Sequence, residues 1–124
     1  GAAAAALLIT GAAAAGRSTL DLVASPASQF APRRFPDGRA VNAYTVALEN
    51  RGREPLLVRL ALDAPGGEAR VRPAEVPLAP GEHRRLTVLG EARLAPGTVR
   101  AELRAEADRA RASRQVPFVV PEAR

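Results

Sequence analysis

The chain has 124 residues, enough for one domain of about 100 residues plus an appendage, and carries a formal net charge of +5 with all 18 basic residues arginine. It contains no cysteine, which excludes disulfides, thiolate metal sites, iron–sulfur ligation and cysteine nucleophiles. Aromatics make up 3% of it and the arginines are spread along the chain beside glutamates, as in Arg100, Glu102, Arg104 and Glu106, so no nucleic-acid surface is expected.

Gly1 to Gly16 read GAAAAALLITGAAAAG, an uncharged run whose alanines favour helix and whose small residues suit close packing in a membrane. At 16 residues it is shorter than the roughly 20 that span a bilayer. It has no polar face, which argues against a helix on a soluble surface. No positive n-region precedes it and the chain opens on Gly. The expectation is therefore the C-terminal part of a transmembrane helix over residues 1–17, with residues 18–124 as a separate domain. The rival reading is a secretory h-region, with Ala13-Ala14-Ala15 supplying the cleavage site.

Beyond Ser18 the period changes to two, and short alternating segments are separated by Pro and Gly. Thr19 to Ala24 is the first expected strand. Ser25 to Gly38 holds Pro26, Pro32 and Pro36, which suits an extended run along a sheet edge, closed by an Asp37-Gly38 turn. Arg39 to Asn50 puts Asn42, Tyr44, Val46 and Leu48 on one face. After the turn Asn50-Arg51-Gly52-Arg53, Pro55 to Asp63 points Leu56, Val58, Leu60 and Leu62 inward. Glu68 to Arg72 is short and closed by Pro73. Ala79-Pro80-Gly81-Glu82 turns the chain into Arg84 to Leu89, with Leu86 and Val88 inward. Pro96-Gly97 precedes the strict alternation of Val99, Ala101, Leu103 and Ala105, which outweighs the helical composition of Glu91 to Arg114. Arg109 to Val120 ends the series, with Val116, Phe118 and Val120 inward. About seven strands in about 100 residues imply an all-β fold, an antiparallel immunoglobulin-like β-sandwich preceded by a short apolar helix of transmembrane type.

The search for chemistry yields no catalytic, cofactor-binding or metal site. The one histidine, His83, follows a turn and has no Cys or Met to join it, so it reads as a solvated residue at a strand entry. Asp37, Asp63, Glu68, Glu75, Glu82 and Glu91 fall mostly at turns and strand ends, where backbone geometry favours them. The serines lack a nucleophile elbow, and the glycines form turns rather than a phosphate cradle.

Asp37-Gly38-Arg39-Ala40-Val41-Asn42-Ala43-Tyr44-Thr45-Val46 through Asn50, followed by Leu78-Ala79-Pro80-Gly81-Glu82, resembles a segment of the C-terminal immunoglobulin-like domain of the FixG/CcoG family of cytochrome c oxidase accessory proteins. The likeness covers about Leu20 to Val120, and in that family the domain directly follows the last membrane helix. The resemblance implies a non-catalytic interaction or structural domain of a bacterial inner-membrane protein that serves assembly of a haem-copper oxidase, with copper reduction as the whole protein's proposed activity. It implies oxidase subunits or assembly factors as protein partners, attachment to the membrane through residues 1–16, and a periplasmic sandwich. The family's 4Fe-4S region has no counterpart here, so no cofactor is expected in this chain. Asp37, Gly38, Asn42, Tyr44, Asn50, Pro80 and Gly81 are the matched positions, and Asn42 and Tyr44 are expected to tie loops to the core. The alternative is a secreted or membrane-anchored adhesion or carbohydrate-associated sandwich, which would want exposed aromatics in a groove.

Overall fold

Alternation with a period of two sends every second side chain into a core, and in the computed structural model, which describes residues 19–122, it yields strands and no helix. Among these residues the strands are β1 (Leu20–Pro26), β2 (Arg33–Arg34), β3 (Ala40–Asn50), β4 (Leu56–Asp63), β5 (Ala69–Arg72), β6 (Glu75–Leu78), β7 (His83–Ala92), β8 (Gly97–Ala107) and β9 (Ala110–Val120). Sheet I has the order β9-β8-β4-β6; sheet II has the order β1-β3-β7-β5, with β2 also on β3. All the pairings are antiparallel. The immunoglobulin-like sandwich expected from the sequence is therefore present. The transmembrane-type helix expected over residues 1–17 lies outside the described residues.

Inward positions of the two sheets form one core, in which Leu22, Tyr44, Val46, Leu48, Val58 and Phe118 are fully buried. Burying such side chains contributes about 1.5–3 kcal/mol each before entropy is counted. Leu86, expected in this core, is only partly buried. The cause is local: β5 pairs with β7 only from Leu89 to Ala92, so β7 from His83 to Thr87 is an open edge that water reaches.

Among the described residues nine strands form where about seven were expected. β2 is two residues pairing with Val41 and Ala40, so the proline-rich segment does run along an edge of β3. β6 contains Pro77, a residue that reads as a breaker. It survives because β6 is the end strand of sheet I, where a missing N–H can face outward, and Val76 and Leu78 still alternate into the core. β7 also runs on to Ala92 through Gly90. A Cβ there would stand 2.8 Å from Leu62 Cδ2 and 3.3 Å from Tyr44 Cε2, so the position is kept bare to seat the Tyr44 ring.

Candidate functional site

The matched polar residues are brought to three places along β3. At its start, Asp37 Oδ1 accepts the Arg39 backbone N–H at 3.0 Å and Oδ2 accepts Arg39 Nε at 3.0 Å. Gly38, at φ +94°, lets its N–H reach Phe35 O at 2.9 Å. The Arg39 N–H, then the Arg39 and Arg93 charges, hold the Asp37 carboxyl below its ordinary range. The Arg39 guanidinium lies 4.7 Å from the Phe35 ring centre and that of Arg33 5.8 Å from it.

In the first half of β3, two side chains reach across to sheet I. Asn42 Nδ2 donates to Val119 O at 2.8 Å while its Oδ1 accepts the Val119 N–H at 2.9 Å, so the side-chain amide imitates a neighbouring strand. Tyr44 Oη donates to Pro117 O at 2.8 Å. Burial pushes the Tyr44 phenol well above its ordinary range, which keeps it a neutral donor. Pro117 has no N–H. The outward backbone groups of β9 at 117 and 119 are thus either absent or satisfied, and this stretch of a sheet edge is closed to strand addition. Asn42 and Tyr44 therefore clasp a strand of the opposite sheet; they do not tie down loops as the sequence suggested.

At the end of β3, Asn50 is completely buried. Its Nδ2 donates to Glu54 O (2.8 Å), Ala79 O (3.2 Å) and Leu78 O (3.4 Å), and its Oδ1 accepts the Gly52 N–H at 2.9 Å. Its own backbone N–H donates to Glu82 O at 2.9 Å and its carbonyl accepts from Gly81 at 2.8 Å. Pro80-Gly81 places that turn, with Gly81 at φ +74°. Glu82 Oε1 accepts the Ala79 N–H at 2.8 Å and Oε2 takes two bonds from Arg84, at 2.8 and 3.0 Å. The Ala79 N–H, then Arg84, hold the Glu82 carboxyl below its ordinary range.

What this arrangement can do is hold shape. Asn42, Tyr44 and Asn50 spend their polar groups on backbone partners. His83 is exposed at the start of β7 opposite Glu49, and among the described residues no three His, Cys, Asp or Glu side chains converge on a metal position. A shallow, wide-open hollow lies between β8 and β9, lined by Thr98, Val99, Arg100, Gln115, Val116 and Pro117, and it holds no carboxylate or imidazole. Gly90 is the one structural requirement of the clasp that the sequence reading passed over, although a glycine inside an alternating strand signals close approach.

No curated protein matches the chain. Among solved structures, it resembles the crystal structure of a FixG-related protein from Vibrio parahaemolyticus, with a TM-score of 0.67 at 12% identity over 83% of this chain and 97% of that one. That likeness establishes the fold. Residues 10–121 match the family described as "IG-like fold at C-terminal of FixG, putative oxidoreductase", and the chain belongs to that family.

Proposed function

We propose that the chain is a non-catalytic interaction domain of a bacterial inner-membrane protein that serves assembly of a haem-copper terminal oxidase. The observation that carries this reading is family membership across residues 10–121, combined with a β3 motif whose polar groups are all engaged in holding the sandwich. With no cysteine the chain offers no thiolates for a 4Fe-4S cluster, so electron transfer or copper reduction belongs to sequence outside these residues. Residues 1–16 act as the end of a membrane helix, and the sandwich faces the periplasm, where it meets oxidase subunits or assembly factors. The adhesion or carbohydrate reading wants aromatics in an exposed groove, whereas Tyr44 and Phe118 lie in the core and the exposed Phe30 does not line the hollow between β8 and β9.

The test removes residues 18–124 from the protein in its own host. Oxidase activity in the membranes is expected to fall while the iron–sulfur electron paramagnetic resonance signal of the remaining protein is unchanged. Unaltered oxidase levels overturn the reading, and loss of the iron–sulfur signal overturns its division of labour. Alkaline phosphatase fused after Arg124 is expected to be active; a fluorescent cytoplasmic reporter with silent phosphatase overturns the periplasmic placement.

A further inference from the structure

The two outer faces of the sandwich differ in how their charges are used. Across sheet I, register sets Glu75 opposite Arg59, Arg59 opposite Glu106 and Glu106 opposite Arg111, an alternation of sign over four strands. Arg104 Nε adds a contact of 3.1 Å to Asp63 Oδ2. That face balances its charges by register, although Arg59 and Arg100 on it have no carboxylate within ion-pair distance among the described residues.

Sheet II does not. Its carboxylates are used at the two ends: Arg51 sits 3.2 Å from Asp21 and 3.6 Å from Glu49, and Arg39 sits 3.5 Å from Glu91. Arg33, Arg70, Arg72 and Arg85 are exposed and have no carboxylate within ion-pair distance among the described residues. Register spreads them over the face. Arg33 and Arg70 stand at opposite edges of one row, across Val41 and Glu91; Arg72 stands beside Leu89, and Arg85 beside Ala47. The ground between them is low and weakly polar, made of Thr45, Ala47 and Thr87 beside the buried Ala43. Val23 and Leu89, 54% and 40% exposed, rise from it, as Leu57 does from sheet I.

We propose that the outer face of sheet II is a docking surface for a protein partner that presents carboxylates to these arginines. This rests on reading the domain as an interaction module, and it names the chemistry of the partner. Guanidinium groups match carboxylates in a bidentate fork, and arginine is enriched in protein interfaces where lysine and glutamate are depleted. Small side chains and two apolar contacts suit the flat surface of another protein. A nucleic acid would want stacking aromatics, and the Asp21, Glu49 and Glu91 carboxylates on the same face would repel a continuous run of phosphates. Strand spacing and residue rise give a footprint of about 400 Å². A stable complex covers about 800 Å² on each partner, so the contact is reversible.

The test places the photo-crosslinker p-benzoylphenylalanine at Thr87 in the complete protein in its native membrane, with Glu102 on sheet I as the comparison site. The products are identified by mass spectrometry. A protein with an acidic surface patch is expected at position 87 and not at 102, with a yield that falls as salt is raised. Arg70→Glu/Arg72→Glu/Arg85→Glu is expected to lower that yield about tenfold, the scale of one lost favourable charge contact. The milder Arg→Gln triple, which leaves the fold least disturbed, is expected to lower it by a smaller factor. If the captured protein is an oxidase subunit or assembly factor, the proposed function stands with the docking face; if it is an unrelated acidic protein, the face stands and the oxidase reading falls. Adducts chiefly with phospholipid or nucleic acid, equal yield at 102, or a product indifferent to both arginine triples overturns the docking face.

Discussion

Two polar knots on the same strand solve different problems. The clasp of Asn42 and Tyr44 lies on the flank of the sandwich and joins sheet II to the edge of sheet I. The Asn50 knot lies at the other end of β3 and gathers two turns, those at 51–54 and 79–82, onto one side chain. The clasp uses two side chains for three bonds to β9; the knot uses one side chain for four backbone partners. Asn42 and Tyr44 are buried much as Asn50 is, so the difference lies in how many backbone groups depend on a single side chain. The knot is therefore expected to matter more for stability, and the clasp more for keeping the β9 edge closed.

The core gives the scale for both. Leu60→Ala removes a side chain that is 5% exposed and is expected to cost about 2–5 kcal/mol, lowering denaturant midpoints without singling out either knot in amide exchange. Asn50→Ala comes next. It leaves the carbonyls of Glu54, Leu78 and Ala79 and the Gly52 N–H without their partner, and an unsatisfied buried group costs about 1–3 kcal/mol. A total of about 3–4 kcal/mol is expected, with fast exchange at Gly52 and Gly81 and protection retained at Val119. A loss under about 1 kcal/mol would show that water serves the knot as well as the amide does.

Gly90→Ala isolates the clasp. The added methyl meets Leu62 and the Tyr44 ring, and overpacking of this kind costs about 1–3 kcal/mol. Exchange is expected to quicken at Val119 while Gly52 stays protected, and the reverse pattern would break the separation of the two regions. Tyr44→Phe is milder, about 1 kcal/mol, because it removes one hydrogen bond and keeps the ring. Its distinguishing mark is a freed Pro117 carbonyl on the β9 edge, so self-association at high concentration, seen by sedimentation, is expected to exceed that of the parent.

Much of this was legible in the sequence, and the misses have physical causes. Strict alternation marked β3, β4, β8 and β9, because a face buried at every second position leaves a signal that propensity cannot blur. Pro77 hid β6 and Gly90 hid the end of β7, since whether a breaker is tolerated depends on which strand lies at an edge and which ring needs space, and only the tertiary arrangement decides that. The motif was visible as residue types, but its partners were not. Asn42 and Tyr44 bond to residues 77 and 73 positions away, a separation no local pattern encodes. The arginine face of sheet II was equally hidden, because its four arginines come from three strands and align only through register.

Acid separates the two ends of β3 by the smallest effect. Asp37 and Glu82 each have a carboxyl held below its ordinary value, 3.8 and 4.5 respectively, because backbone N–H groups and arginines favour the ionised form. A depressed value in the folded state means that the unfolded chain binds protons first as pH falls. The stabilisation is therefore complete at neutral pH, begins to fade as pH approaches those ordinary values, and is gone once pH passes below the folded ones. Both groups are at the surface, so solvent screens them and the effect on each is slight. Glu82 is the better sheltered, with its side chain 28% exposed against 47% for Asp37, and it braces the turn that closes the Asn50 knot. Glu82→Gln can still accept the Ala79 N–H but no longer titrates. It is expected to flatten the decline of thermal midpoint between pH 5 and 3 more than Asp37→Asn does, with acid-induced exchange at Gly81 reduced alongside. Equal flattening by the two variants would show that the turns at both ends of β3 carry the same electrostatic load, and a larger effect from Asp37→Asn would place the acid-sensitive point at the start of the strand.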